Sequence, residues 1–188
     1  MDLNQNEEQT MSTSNKEQRL IRPPTDYAPE VAQWVWALED TRRRTKQALA
    51  GLTDAVVDWI PPEGGNSIGM LLYHLMAIEM SYLYEDILEI GWAAELEPLI
   101  RYDVRDQEGK LSLIQGEPLA THLQRLDAAR TLLLDALRKM TPDDLRRPRL
   151  LERYAVTPEW IFHHLMQHEA EHRGQIGELR LRAEQQGQ

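Results

Sequence analysis

Four of the six histidines fall within residues 163–172, and a fifth, His74, lies in an apolar stretch in the middle of the chain. His168 and His172 are four residues apart, which places both imidazoles on one face of an α-helix with Cβ atoms about 5–6 Å apart. Two imidazoles at this spacing can bind one metal ion. His74 is the natural third ligand, because its apolar neighbours offer no partners for its ring nitrogens. The spacing therefore predicts a metal site formed by His74, His168 and His172.

The predicted ligand set leaves coordination positions open, which is typical of a catalytic rather than a structural metal site. One divalent ion per chain is expected, and three imidazoles suit Zn, Ni, Fe, Co and Mn about equally. Glu171 and Gln175 lie about 60° and 20° from His168 around the helix, so both can approach the ligands and orient them. The role of His164, on the same helix face, is left open.

Other interpretations of these histidines compete with a mononuclear site. Residues 168–172 match the His-Glu-x-x-His motif of metalloproteases, in which the glutamate, here Glu169, is the general base. No β-sheet that would align a peptide is predicted, which counts against that interpretation. A di-iron bundle requires two Glu-x-x-His motifs, and only Glu169 and His172 supply one. A buried histidine bonded to a backbone carbonyl is the alternative without a metal.

The elements that position the histidines are helices. Apolar residues recur with i, i+3, i+4 spacing over residues 29–50 and 117–139, and residues 67–89 are apolar nearly all round. Residues 157–184 begin with Thr-Pro-Glu, a pattern typical of a helix start. Residues 51–65 carry turn residues, and no strand pattern of useful length competes. The sequence predicts an all-α four-helix bundle.

Residues 90–116 form a connection between the second and third predicted helices that is far longer than usual. A segment of this length can run the whole length of the bundle, so these two helices are predicted to be parallel. The connection between them is a long crossover. Residues 1–26 are polar and are predicted to be a disordered tail, whereas residues 27–188 form the bundle.

The composition excludes several classes of function. The net charge of -10 opposes binding to nucleic acid. The absence of cysteine excludes disulfides and a cysteine nucleophile, and it favours a cytoplasmic location. No apolar run is long enough for a membrane span, and no secretory signal is recognisable. The arginine runs at residues 42–44 and 146–149 are interpreted as solvated faces.

Two motifs resemble a known family. Residues 66–69 (NSIG) followed by residues 71–75 (LLYHL) resemble the start of the second helix in the DinB-like, YfiT-like metalloenzyme superfamily. Residues 164–176 resemble its fourth-helix signature, and the resemblance extends over about residues 27–185. It implies an up-down-down-up bundle that holds a divalent metal through His74, His168 and His172 and that often forms a homodimer.

Characterised members of this family include transferases and isomerases that use low-molecular-weight thiols. The resemblance implies a metal-dependent transferase that attaches such a thiol, as co-substrate, to an electrophilic small molecule in detoxification or a stress response. Metal-dependent hydrolysis ranks below it. The alternative is a metal-binding bundle that acts as a stress-related or sensor protein without turnover.

Overall fold

A computed structural model describes residues 19–187 as a bundle of four long helices with short elements between them. The predicted all-α fold is confirmed. The first, third and fourth predicted helices end within two residues of the observed ones, whereas the second, predicted over residues 67–89, is α-helical only to Ser81 and continues as a π-helical segment to Ile87. The long helices are α1 (Pro29–Leu49), α3 (Ile68–Ser81), α4 (Leu119–Arg138) and α6 (Pro158–Gln185). The short elements are α2 (Asp54–Asp58), a π-helical segment (Tyr82–Ile87) that continues α3, a 3₁₀ turn (Ala94–Leu96), α5 (Pro142–Arg146) and the antiparallel strands β1 (Arg149–Leu150) and β2 (Ala155–Val156).

Helices α3 and α4 run in the same direction. Near their starts, Gly69 lies against the His122 ring. Ten residues further along α3 and eight further along α4, Arg130 donates to Glu79. Residue numbers therefore increase together along both helices. The connection between them crosses the length of the bundle, as the sequence predicts.

Helices α1 and α6 are also parallel to each other. Arg42 bonds to Glu169, and further along both helices Arg180 donates to the carbonyl of Ala48. These two helices come from opposite ends of the chain, so α1 acquires its parallel neighbour only from the last element.

The two parallel pairs point in opposite directions. His74 lies beside His168, whereas Tyr82, later in the chain, lies beside His164, which comes earlier in α6. Helix α3 is therefore antiparallel to α6, and the up-down-down-up order is confirmed.

The crossover is tied to α3 by one tyrosine. The Tyr73 hydroxyl donates to the carbonyl of Tyr102 at 2.6 Å and accepts from the backbone N–H of Tyr102 at 2.9 Å. Nearer the end of the crossover, Glu117 forms an ion pair with Arg125 of α4. The loop is thereby held against the residue that precedes His74.

Several short elements are absent from the prediction, among them α2 and the hairpin of β1 and β2. Residues 51–65 were interpreted as turns, but α2 forms there because the Thr53 hydroxyl accepts from Val56 N–H, and Val56 and Val57 are buried. The hairpin of β1 and β2 has two residues per strand, too few for an alternating pattern to be visible. The formation of elements this short depends on the residues that they pack against.

The predicted tail lies largely outside the described residues. Of residues 1–26, the structure describes residues 19–26, which contain no helix or strand and are mostly exposed. No helix within residues 19–187 is long and apolar enough to cross a membrane.

A buried quartet of charges joins all four long helices. It consists of Arg42, Glu79, Arg130 and Glu169, each at most 4% exposed. Arg42 contacts Glu79 at 2.7 Å and Glu169 at 2.9 Å, and Arg130 contacts the same two carboxylates at 2.9 and 3.3 Å. The interpretation of residues 42–44 as a solvated face is therefore wrong for Arg42, because two carboxylates compensate its charge inside the bundle.

The quartet predicts a specific loss of stability in acid. Burial alone would raise the pKa of Glu79, but Arg130 and Arg42 outweigh burial and hold this pKa below its ordinary value of 4.5. The charged form therefore stabilises the fold above that value, and this contribution is lost as the pH falls below it. Between about pH 5 and pH 3, the free energy of unfolding should fall more steeply in wild type than in Glu79→Gln. Urea titrations across this pH range measure the free energy of unfolding of both proteins. The same dependence on pH in wild type and Glu79→Gln would contradict the prediction.

Gly69 lies where α3 passes close to α4. A Cβ atom at this position would lie 3.1 Å from His122 Nε2 and 3.3 Å from its Cε1. His122 is only 1% exposed, so its ring has little room to move. We expect Gly69→Ala to lower the free energy of unfolding by about 1 kcal/mol, since overpacking outweighs the gain in helix propensity.

Gly177 provides the matched control for this substitution. Like Gly69, Gly177 lies within a helix. Unlike Gly69, it is exposed, and a Cβ there would meet nothing within 4 Å. Gly177→Ala should raise the free energy of unfolding by about 0.5–1 kcal/mol. Equal effects of the two substitutions in denaturant titrations would show that the contact with His122 is unimportant.

Candidate metal centre

Two well-capped helices position the candidate site. Helix α3 is capped by Ser67, whose side chain accepts from Met70 N–H, and His74 lies two turns further on. Helix α6 is capped by Thr157, whose side chain accepts from Trp160 N–H. These caps satisfy free amides at each helix start and fix where the following residues face.

The three predicted ligands converge through the same ring nitrogen. His168 Nε2 lies 3.1 Å from His74 Nε2 and 3.0 Å from His172 Nε2. The ligand atoms of all three rings lie within 4.8 Å of one another, and no other such group of three occurs within residues 19–187. His74 is 5% exposed, and the other two are partly buried.

The surroundings keep two of these rings uncharged. Burial, followed by His168, His172 and Arg105, lowers the pKa of His74 to about 3. Burial, followed by His172 and His164, lowers the pKa of His168 to about 4. Both imidazoles are therefore neutral near neutral pH, the protonation state that a metal ligand requires.

The donor atoms fit a metal ion better than they fit one another. A neutral imidazole nitrogen carries either one proton or one lone pair, so His168 Nε2 cannot form full hydrogen bonds with both neighbours. The buried His74 Nδ1 has no partner among the described residues. A cation can accept lone pairs from all three Nε2 atoms, and nitrogen separations near 3 Å suit ligands with bonds of about 2.1 Å to one ion.

Of the two predicted neighbours of the ligands, Gln175 contacts a ligand and Glu171 does not. Gln175 Oε1 lies 2.9 Å from His172 Nδ1, so that Nδ1–H donates and the Nε2 lone pair faces the other rings. Glu171 is exposed and accepts a hydrogen bond from Gln167 at 2.9 Å. It contributes only its charge, which opposes the lowering of the His168 pKa.

The contact with Gln175 predicts a measurable effect on metal affinity. Gln175→Ala removes the acceptor that orients His172, and loss of such a contact typically weakens metal binding about 10–100-fold. Competition with a chromophoric chelator measures the affinity. Gln167→Ala is the control, because Gln167 is exposed and its side-chain amide donates to Glu171, which is not one of the three histidines. Equal affinities of the two variants would contradict the orienting role.

His164 does not join the three converging nitrogens. Its ring stacks on Trp160 with centroids 5.1 Å apart and planes inclined by 7°. On its other side it faces His168 at 5.8 Å, and Tyr82 meets it edge-on at 5.4 Å. His164 therefore lies between the candidate metal site and a group of aromatic residues.

Glu169 is the residue whose role the sequence did not indicate. It occupies the general-base position of the His-Glu-x-x-His motif, but its carboxylate is bound by Arg42 and Arg130 inside the bundle. It is therefore not free to act as a base beside His168. The signal that could have found it is the buried position of Arg42 within the apolar stripe of α1, which requires a buried acid opposite.

Comparison with known proteins gives a family match and similarity to a solved structure. A sequence profile described as the DinB superfamily matches residues 37–176. The chain also resembles the structure of YfiT from Bacillus subtilis, with a TM-score of 0.59 and 21% sequence identity over 86% of this chain and 93% of YfiT. YfiT is described as "a probable metal-dependent hydrolase with an unusual four-helix bundle topology". No curated protein sequence matches the chain.

Proposed function

The chain belongs to the DinB superfamily, and from this premise we propose that it is a divalent-metal-dependent enzyme that transfers a low-molecular-weight thiol to an electrophilic small molecule. The observation that supports the proposal is the convergence of His74, His168 and His172 through their Nε2 atoms. A bound divalent ion would supply Lewis acidity and would favour the thiolate form of a thiol. Three protein ligands leave room for such a co-substrate.

The chain's own residues keep imidazole ligands neutral, orient one of them and place a positive charge near the site. His74 and His168 are kept neutral by burial, and Gln175 holds His172 with its Nε2 directed inward. Arg105, on the crossover, acts on the same site, since its positive charge contributes to lowering the His74 pKa. A nearby positive charge also favours a thiolate over a thiol.

The reacting thiol must come from another molecule, because the chain contains no cysteine. In the proposed reaction the thiol loses its proton to water, and its sulfur forms a bond to the electrophilic carbon. The leaving group departs with its electron pair, or a strained ring opens and is protonated. Attack by sulfur, not by water, defines the reaction.

Hydrolysis is a second candidate, and the likeness to YfiT favours it. The description of that protein names a metal-dependent hydrolase, and a site with open coordination positions can activate water as well as a thiol. The two candidates share the three histidines and differ in the nucleophile. The product distinguishes them, since thiol transfer leaves sulfur on the product and hydrolysis leaves oxygen.

The test is a product screen on metal-loaded protein. Protein loaded in turn with Zn, Ni, Co, Mn and Fe is incubated with electrophiles, with and without glutathione, bacillithiol or mycothiol, and products are identified by mass spectrometry. We expect thiol adducts to form above the uncatalysed rate in wild type and not in His168→Ala. Oxygenated products without thiol would favour hydrolysis. No turnover by fully metal-loaded protein would favour the alternative of a binding or sensor protein.

A further inference from the structure

An aromatic pocket opens beside the candidate metal centre. Its volume is about 520 Å³, which is within the range of small-molecule sites. Tyr154 and Trp160 are each 50% exposed, so solvent and solutes reach their rings. The pocket is lined by Tyr82, Pro148, Tyr154, Ala155, Val156, Thr157 and Trp160.

A single imidazole separates this pocket from the three converging histidines. His164 stacks on Trp160 at 5.1 Å, meets Tyr82 edge-on at 5.4 Å and faces His168 at 5.8 Å. A molecule held against Trp160 and Tyr82 would therefore lie one side chain away from a group bound at the histidines.

A buried carboxylate lies behind the aromatic rings. Asp86 is 6% exposed, and its Oδ2 accepts a hydrogen bond from the Tyr154 hydroxyl at 2.8 Å. Within residues 19–187 no lysine or arginine forms an ion pair with Asp86, and the arginines on either side of Pro148, Arg147 and Arg149, contact Glu89 instead. Burial, together with Glu85, raises the pKa of Asp86, which is the effect of a carboxylate without a counter-ion.

The backbone beneath the pocket departs from regular helix. Tyr82 and Asp86 both belong to the π-helical segment that continues α3. Such segments are rare and occur frequently at functional sites, because the widened turn changes the direction of the following side chains. Here the irregular segment supplies both an aromatic wall of the pocket and the acid behind it.

We propose that the pocket formed by Tyr82, Tyr154 and Trp160 binds an organic cation, an ammonium or N-alkylated heteroaromatic group, with Asp86 as the compensating charge. Aromatic faces attract cations, and several rings around one cavity are the usual arrangement for quaternary ammonium groups. No basic residue lines the cavity, so an anionic ligand would find no partner there. The assignment of this cation as part of the electrophilic substrate rests on the proposed function, whereas cation binding itself does not.

Calorimetric titration with three bicyclic probes tests the proposal: N-methylquinolinium as cation, quinoline near neutral pH as its uncharged counterpart, and quinoline carboxylate as anion. We expect the cation to bind wild type at least about tenfold more tightly than either other probe. Trp160→Ala should weaken cation binding about tenfold. Asp86→Asn retains the partner of Tyr154 and should reduce the preference for the cation over quinoline by a similar factor.

Trp92→Ala is the matched control, because Trp92 is 45% exposed and does not line the pocket. It should bind the cation as wild type does. Equal affinities for the three probes, or unchanged cation binding by Trp160→Ala, would overturn the proposal. So would sedimentation data in which Trp160→Ala abolishes a dimer without changing probe binding, since the face would then be a subunit contact.

The His74→Ala variant separates this proposal from the proposed function. His74 does not line the pocket, so this variant should bind N-methylquinolinium as wild type does even without metal. If the protein binds the probe but shows no turnover, the cation site is supported and only the proposed enzymatic function fails. Loss of probe binding in a folded His74→Ala protein would overturn the inference of a separate cation site.

Discussion

Wild-type protein is expected to hold about one divalent ion per chain, and His74→Ala is expected to lose nearly all of this metal. His74 alone brings a ligand from α3, so the variant retains only the pair on α6. Removal of a direct ligand should weaken binding by more than the 10–100-fold typical of residues that orient ligands. Elemental analysis by plasma mass spectrometry, on protein purified without chelator, measures the metal content.

The control for this substitution is His163→Ala. His163 is on the same helix as His168 but is exposed, so its loss should leave the metal content unchanged. A second measurement is thermal unfolding, since a ligand at 100 times its dissociation constant stabilises the folded state by about 2.7 kcal/mol. Added metal should raise the melting temperature of wild type and not of His74→Ala. Equal metal content in the two proteins would show that His74 is not a ligand, and little metal in either protein would leave the three histidines as core residues without a metal.

Arg130→Met is expected to lower the free energy of unfolding by about 3–5 kcal/mol. The substitution leaves Glu79 and Glu169 sharing Arg42, so the interior acquires an uncompensated negative charge. Adding Glu79→Gln to this variant removes one carboxylate and should restore part of the loss. Urea titration of the single and double variants measures both effects.

Arg44→Met is the matched control on the surface. Arg44 pairs with Asp40 at 2.7 Å, but its side chain is 57% exposed. Exposed pairs of this kind contribute about 0–1 kcal/mol, so a small effect is expected. A loss in Arg130→Met no larger than in Arg44→Met would show that the buried quartet does not stabilise the bundle.

The parts of the structure that depend on local sequence were predictable. The apolar period placed the four long helices, and the long connection indicated that two of them are parallel. The spacing of His168 and His172 and the apolar surroundings of His74 were enough to predict that these rings share a face of the core. Whether they bind metal stays a prediction, which the metal content of wild type and His74→Ala tests.

The parts that depend on distant partners were not predictable. The role of Glu169 is not visible in the sequence, because its counter-charges on α1 and α4 are far away in sequence. The π-helical segment at residues 82–87 leaves no pattern of its own, and its contact with His164 exists only once α6 has packed. Long-range compensation of charge and local backbone irregularity are therefore what the sequence leaves undetermined.

The parallel pairing of α1 with α6 has a consequence for the order in which the protein folds. Arg42 and Glu169 are 127 positions apart, and His74 and His168 are 94 apart. A nascent chain on the ribosome must therefore keep α1 without its final neighbour until the last helix has been synthesised. Such non-local contacts raise the contact order, so folding should be slower than in a bundle whose helices pack in sequence order. The histidine cluster is completed at the same late moment.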